Sequence, residues 1–377
     1  MQDIRMVDLK GQYESIKEEI KIEVDKVLNN TSFINGPTVI EFQKKLEEFN
    51  QVKHVIPCAN GTDALQIALM ALDLKPGDEV ITTDFTFIST VEVIALLRLK
   101  PVLVDIDINT FNINPEEIKK AITNKTKAII PVHIFGQVSD MDEIMTIAKN
   151  NNINVIEDNA QAIGAIYTNF KGNKIKSGAI GDISATSFFP SKNLGAYGDG
   201  GAIFTNNSFF EKKIRAIANH GMFKRYYHDY IGVNSRLDSI QAAILKVKLK
   251  YLDSYNQKRK KAADIYNKFF NNRSDIILPF VKGELDSHVY HQYTLRVLSQ
   301  KRDLLANYLK KNKIPYGIFY PVPLHLQKAY SNIKFKNENF INTNKIVNEV
   351  ISLPIHTELT YSQIEFICEK VINFLDK

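Results

Sequence analysis

The chain reads as an α/β protein, with a large domain on a mainly parallel sheet and a smaller C-terminal α+β domain. Three observations lead there. Its 377 residues exceed what one small core uses, so one large unit plus a second, smaller one is expected. Short apolar runs alternate with amphipathic helical stretches between residues 52 and 157, the pattern of parallel strands joined by crossover helices. From Asp275 that alternation gives way to a strand, a helix and a second strand in mixed order. The division is placed at residue 250, with an arm and the large domain in 1–250 and the small domain in 251–377.

Residues 11–29 form an amphipathic helix carrying Ile16, Ile20, Ile22, Val24, Val27 and Leu28. It stops at Asn29-Asn30, and Asn35-Gly36-Pro37 is a turn that restarts a helix near Thr38. This arm is too small to fold alone and either wraps the large domain or helps a partner subunit. The apolar run Val52–Pro57 is followed by the turn Asn60-Gly61-Thr62-Asp63 and a helix through Ala71. Glu79–Thr82, Val102–Asp105, Ala128–Val132 and Val155–Glu157 read as strands. Between them, Phe87–Leu97 and Met141–Lys149 read as helices, as does a segment opened by Asn114 as cap and Pro115 at the first helical position. Then come a strand at Ala202–Thr205, a helix near Phe209–Ala218, an aromatic-rich loop from His220 to Asn234, and one long helical stretch from Leu237 to about Phe270. The last part reads as strand Tyr290–Val297, helix Arg302–Lys311, strand Gly317–Tyr320 and a closing helix from about Ser362.

Composition narrows the function. The formal net charge of +6 comes from 48 basic and 42 acidic residues, intermixed, which favours an anionic ligand over nucleic acid. The densest basic run, Lys258 to Lys261, continues into a helical pattern and reads as a solvated helix face. Cys58 and Cys368 match no metal spacing and read as reduced packing residues; the histidines lack metal spacing too, so no metal is expected. No apolar run reaches membrane-span length and the N-terminus has no apolar leader, so a cytoplasmic protein without membrane contact is expected.

Four constellations carry chemistry. The first is Lys192, which follows Thr186-Ser187-Phe188-Phe189-Pro190-Ser191 and precedes a glycine-dense turn. A lysine does carbonyl chemistry when its amine is partly deprotonated and fixed in place, and an apolar stretch leading into a tight turn supplies both. Second, Asn60-Gly61-Thr62-Asp63 follows a strand and opens a helix, where free amides and the helix dipole suit a phosphate; the same pattern also serves as an ordinary helix cap. Third, Asp158 ends a buried strand. It needs a positive partner, which is either an internal ion pair or a protonated ring nitrogen of a ligand. Fourth, Phe85 and Phe87 follow another strand and offer a stacking face, although aromatics there are more often core. Together these describe a phosphorylated aromatic cation that stacks on an aromatic ring, meets Asp158 through its nitrogen and forms a Schiff base with Lys192. Pyridoxal 5′-phosphate is that molecule.

Several motifs resemble a known family. They are Val155-Ile156-Glu157-Asp158-Asn159-Ala160-Gln161, Ser187-Phe188-Phe189-Pro190-Ser191-Lys192, Gly198-Asp199-Gly200-Gly201 and Asn234-Ser235-Arg236-Leu237-Asp238 with Gln241-Ala242-Ala243. In this order they resemble the DegT/DnrJ/EryC1/StrS sugar-nucleotide aminotransferases, which share the aspartate aminotransferase-like fold type I. The resemblance runs from about Val7 to the C-terminus. It implies that Lys192 is the Schiff-base lysine, that Asp158 keeps the ring nitrogen protonated and that Gln161 contacts the ring hydroxyl. It further implies that Gly61, Thr62 and Ser187 bind the phosphate and that Phe87 stacks on the ring. Asn234 matches a residue reaching the phosphate from the neighbouring subunit, so a homodimer with shared active sites is implied.

The implied reaction is ping-pong transamination, in which L-glutamate gives its nitrogen to a keto-sugar nucleotide and leaves as 2-oxoglutarate. The segment from Arg225 to Asp238 resembles members that aminate C3. The chain as a whole is similar to enzymes acting on UDP-2-acetamido-2-deoxy-3-oxo-glucuronate, on the route to di-N-acetylated uronic acids of O-antigen. In that reading Arg236, Phe319, Tyr320 and His325 are candidates to meet the substrate, and Arg236 could equally be a structural dimer contact. Alternatives are a dTDP-3-oxo-6-deoxyhexose aminotransferase, a 4-keto sugar aminotransferase, and a protein that binds pyridoxal phosphate without catalysis.

Overall fold

The computed structural model describes residues 4–333 and 340–377. In chain order the first elements are α1 (Leu9–Asn30), α2 (Pro37–Asn50), β1 (His54–Cys58), α3 (Gly61–Ala71), β2 (Glu79–Thr83), α4 (Ser89–Leu96), β3 (Lys100–Val104), α5 (Pro115–Ala121) and β4 (Thr126–Ile130). They continue with α6 (Met141–Asn150), β5 (Asn154–Asp158), β6 (Ile166–Thr168), β7 (Lys174–Lys176), β8 (Ile183–Ser187), β9 (Gly201–Thr205), α7 (Ser208–Ala218), β10 (Met222–Lys224) and β11 (Tyr227–His228). The rest are α8 (Ser239–Leu249), α9 (Leu252–Phe270), β12 (Ile276–Ile277), β13 (Tyr293–Val297), α10 (Arg302–Lys311), α11 (Ile341–Ile346), β14 (Val350–Leu353) and α12 (Tyr361–Leu375).

Seven strands form the main sheet in the order β1-β9-β8-β5-β4-β2-β3. All run the same way except β9, which pairs antiparallel with both β1 and β8. The expected mainly parallel sheet is therefore present. Its strands are apolar because helices cover both faces: every residue of β2 and of β9 is buried. On one face Leu65, Ile67 and Leu69 of α3 pack with Val93 of α4 and Ile214 of α7 over Ile56, Ile130 and Ile203. On the other, α5 and α6 bury Ile118, Met141, Ile144 and Ile147 against Val102, Ile129 and Val155. A further core gathers the C-terminal half of α9 with β12, β13, β14, α10 and α12, around Tyr266, Tyr293, Leu295 and Ile367.

Local chemistry sets the element ends. Asn60, Asn114 and Asn207 each turn a side-chain oxygen onto an amide in the first turn of α3, α5 and α7, and Pro115 starts α5 where a missing N–H costs nothing. Thr360 and Gln363 close a reciprocal capping box on α12. The N-terminal arm packs on its own chain. Ile16 and Ile20 of α1 meet Ile244 and Val247 of α8, and Lys246 bridges to Glu23 at 2.5 Å.

Two expectations change. The stretch from Leu237 to Phe270 is two helices broken at Lys250-Tyr251, because α8 is buried almost all round in one core while α9 shows a single apolar stripe to another. Neither glycine nor proline marks that break. Gly317–Tyr320 is not a strand: only Gly317 pairs, with Ser352, and the chain then turns inward to bring Tyr320 to Gln161. Cys58 and Cys368 are free and buried, as expected of packing residues. No helix among the described residues is long and apolar enough to cross a membrane.

Candidate active site

In an open parallel sheet, ligands sit at the carboxyl ends of the strands, where the turns into helices converge. Here those ends are Cys58 of β1, Thr83 of β2, Asp158 of β5 and Ser187 of β8. The turn after β1 opens α3 at Gly61. The Asn60 side chain accepts from the Asp63 amide at 2.8 Å, leaving the amides of Gly61 and Thr62 with no intrahelical acceptor. A Cβ on Gly61 would lie 2.7 Å from the Ser187 Cβ, so only a glycine lets β8 come this close to the helix start. The Thr62 hydroxyl lies 2.9 Å from that of Ser89. Amides, hydroxyls and the positive end of the 11-residue α3 thus converge on one place suited to a phosphate.

Asp158 closes β5 and is 5% exposed. Its Oδ2 accepts from the Thr90 hydroxyl at 2.8 Å and its Oδ1 from the Ala160 amide at 3.2 Å. Burial pushes its carboxyl above the ordinary carboxylate range, and those two bonds and the positive charge of Lys192 pull it part of the way back. Among the described residues it forms no salt bridge. A buried carboxylate with two neutral donors is short of positive charge, and a protonated ring nitrogen would supply it.

Lys192 sits in the tight turn after β8, its amide donating to the Phe189 carbonyl at 2.8 Å. Burial lowers its ammonium from the usual 10.5 to about 8, with Asp158 opposing the shift. About one molecule in ten therefore carries the free amine at pH 7, the state that attacks a carbonyl, against fewer than one in a thousand at the ordinary pKa. Gln161 lies three residues beyond Asp158. Its Oε1 accepts from the Phe135 amide at 2.7 Å, and its Nε2 donates to the Tyr320 hydroxyl at 3.2 Å. Tyr320 meets Phe85 edge-on at 5.8 Å and lies 6.4 Å from Phe87. The two phenylalanines divide their roles: Phe85 is fully buried core, whereas Phe87 is 54% exposed and presents a ring face.

The structure thus brings Gly61, Thr62, Ser187, Phe87, Asp158, Gln161, Lys192 and Tyr320 into one connected group. Asn234 and Arg236 line a cleft of ≈ 470 Å³ with Ile34, Ala59, Gly198 and Asp199. Among the described residues no hydrogen bond joins them to Asp158, Gln161 or Lys192. His325 is already committed: its backbone amide and its Nδ1 both meet the Asp84 carboxylate, at 2.8 and 2.5 Å, and its ring stacks on Phe340. Only its Nε2 remains for a ligand. Phe319 is half-buried, its ring 6.1 Å from that of Tyr320.

Sequence reasoning missed Thr90, Ser89 and Asp84. Thr90 and Ser89 open the helix after β2 as Gly61 and Thr62 open the helix after β1, so a paired search for hydroxyls in the first turns would have found them. Asp84 shows no signal in sequence, because its partner His325 is 241 residues away.

A glycine-cradled helix start, a buried carboxylate short of positive charge and a lysine with a depressed pKa, set at the carboxyl ends of the strands of a fold type I sheet, define an enzyme that binds pyridoxal 5′-phosphate. The chain belongs to the DegT/DnrJ/EryC1/StrS aminotransferase family, whose model matches residues 14–372. It is 45% identical over 370 residues to the UDP-2-acetamido-2-deoxy-3-oxo-D-glucuronate aminotransferase of Pseudomonas aeruginosa, covering 98% of this chain and 100% of that one. It is 44% identical over 373 residues to a pleiotropic regulatory protein of Geobacillus stearothermophilus, covering 99% of this chain and 98% of that one. Among solved structures it is similar to NtdA from Bacillus subtilis with bound cofactor PMP, at a TM-score of 0.89 and 32% identity over 96% of this chain and 82% of that one. The protein is a pyridoxal-phosphate-dependent aminotransferase.

Proposed function

We propose that the enzyme moves an amino group from L-glutamate to C3 of a nucleotide-linked 3-keto sugar, with UDP-2-acetamido-2-deoxy-3-oxo-glucuronate as acceptor. The observation that carries this is the match along nearly the whole of both chains to the Pseudomonas aeruginosa enzyme of that name. The product would enter surface-polysaccharide synthesis in the cytoplasm.

The residues divide the work as follows. Gly61, Thr62 and Ser187 hold the phosphate, Phe87 covers one ring face and Gln161 orients the ring hydroxyl. Asp158 keeps a proton on the ring nitrogen. The bound cofactor supplies an aldehyde for amino groups and an electron-accepting ring. Lys192 would attach the cofactor through its amine and would carry the proton moved at the substrate carbon that bears the nitrogen. Two subunits complete each site, Asn234 of one reaching the phosphate bound by the other. Arg236, Phe319, Tyr320 and the free Nε2 of His325 are the groups set to meet the sugar, its carboxylate or the diphosphate.

The test offers the holoenzyme L-glutamate with freshly made keto-sugar nucleotides: the UDP-linked 3-keto uronate, a dTDP-3-keto-6-deoxyhexose and a 4-keto sugar. Mass spectrometry reads which sugar gains an amine. Amination of the UDP-linked uronate above the others supports the assignment; amination of a dTDP or 4-keto sugar alone replaces it.

A further inference from the structure

Directly beside Lys192 lies a buried polar network. Asn193, Asn256, His291 and Arg259 are each no more than 6% exposed. Asn193 Nδ2 donates to Asn256 Oδ1 at 2.7 Å and to the Val289 carbonyl at 3.2 Å. Asn256 Nδ2 in turn donates to the Ile163 carbonyl at 3.1 Å. His291 Nδ1 lies 3.3 Å from Asn193 Oδ1.

The direction of every bond here is determined. The Val289 and Ile163 carbonyls can only accept, so each asparagine must face its carbonyl with its nitrogen. Flipping Asn193 would set its oxygen against the Val289 carbonyl. Asn193 Oδ1 is therefore an acceptor, and His291 must carry its proton on Nδ1. Arg259 fixes the backbone from which that imidazole hangs: its Nη1 donates to the carbonyls of Tyr290, His291 and Ile355, at 3.2, 3.3 and 3.0 Å. Burial holds the imidazole well below its ordinary pKa, and the positive charges of Lys192 and Arg259 push the same way.

We propose that His291 is a positioning residue: as a neutral imidazole protonated on Nδ1, it pins Asn193 and thereby the turn that presents Lys192 to the cofactor. The same bonds tie this turn, which joins β8 to β9 of the main sheet, to α9 and to the segment leading into β13. His291 itself takes no proton in the reaction. This rests on Lys192 being the lysine that takes the cofactor, but the histidine measurement below does not depend on that assignment.

Two measurements test it. In apoprotein carrying nitrogen-15-labelled histidine, the His291 resonances of the wild type, assigned by their absence in H291N, should show a proton on Nδ1 and a bare Nε2 from about pH 5.5 to about 8.5. An Nε2-protonated ring, or titration within that range, overturns the proposal. Capture of pyridoxal 5′-phosphate by apoprotein, followed by visible absorbance, should slow about fivefold in H291L, which has no donor. It should stay within about twofold of wild type in H291N, whose amide nitrogen takes the Nδ1 position. Equal loss in both variants means that His291 only fills space, and sinks the proposal. If H291L does not fold, the wild-type histidine spectra still decide.

Discussion

At the scale of single residues the site is a balance between two charges held out of water. Burial lowers the affinity of Lys192 for a proton and raises that of Asp158, while each opposes the other's shift. Lys192→Ala should abolish transamination, by at least about a thousandfold, since it removes both the covalent attachment and the proton carrier. Borohydride treatment of the wild type should leave the cofactor on the peptide containing residue 192; a label on any other lysine would refute the assignment. The sign of the pH effect follows from the pKa of about 8. Capture of pyridoxal 5′-phosphate by apoprotein needs the free amine, so its rate should rise with pH through about 8 and fall roughly tenfold per unit below it. Between that value and 10.5 an unfolded lysine binds a proton that the folded one has lost, so Lys192 makes apoprotein stability rise with pH in this window. A capture rate that went on climbing tenfold per unit from pH 8.5 to 9.5 would show an amine not depressed at all. Asp158→Asn keeps the shape and the Ala160 and Thr90 contacts' reach but loses the negative charge. It should cost roughly a hundredfold or more in turnover and shift the bound cofactor's absorbance as the ring nitrogen gives up its proton. Lys192 and Asp158 stood out because each lies in a short stretch whose local chemistry is unusual, whereas Gln161 was reached only through the family resemblance of its motif. Thr90 and Asp84 were not legible, since their roles depend on partners 68 and 241 residues distant.

Elements set how closely these residues approach. The start of α3 lies against the end of β8 with no room for a side chain at Gly61. Gly61→Ala should therefore push the helix start from Ser187 and weaken cofactor retention by about tenfold or more, while leaving the α3 cap intact. Asn60→Ala should do the reverse, costing about 1 kcal/mol of stability through the lost cap and less in cofactor affinity. Fluorescence titration of the two apoproteins, beside their thermal midpoints, separates these outcomes; equal effects on both readouts would mean that cap and cradle are one feature. Most elements were legible from period and punctuation: Asn60, Asn114 and Pro115 mark helix starts by the bonds they make or cannot make. The break between α8 and α9 was hidden because its cause is tertiary. Ala242, Leu245 and Leu249 of α8 pack in the core under α2, whereas Ala263, Tyr266 and Phe270 of α9 belong to the core of β13 and α12, so the chain must turn between the two helices whatever its local propensity. The short β6–β7 hairpin escaped for a similar reason, being three residues on each side with little apolar signal.

Taken as a whole molecule, one chain assembles nearly all of the proposed site, but Asn234 stands apart from it. That residue is exposed, in a cleft at Ile34 and Gly198, at the end of a segment that also exposes Phe223, Tyr226, Tyr227 and Ile231. An aromatic surface of this kind is costly in water unless another surface covers it. If two subunits share each site, Lys192→Ala and Asn234→Ala fall together in one site of a mixed dimer and leave the other site untouched. Each variant alone should be impaired in both of its sites. After unfolding and refolding as an equal mixture, about half of the dimers would be mixed, each with one site made wholly from intact groups, so activity should recover to roughly a quarter of wild type. If each site belongs to one chain, the mixture should show only the average of the two variants, and the shared-site reading fails. Sedimentation of the refolded mixture, run alongside, establishes that dimers are what is being assayed.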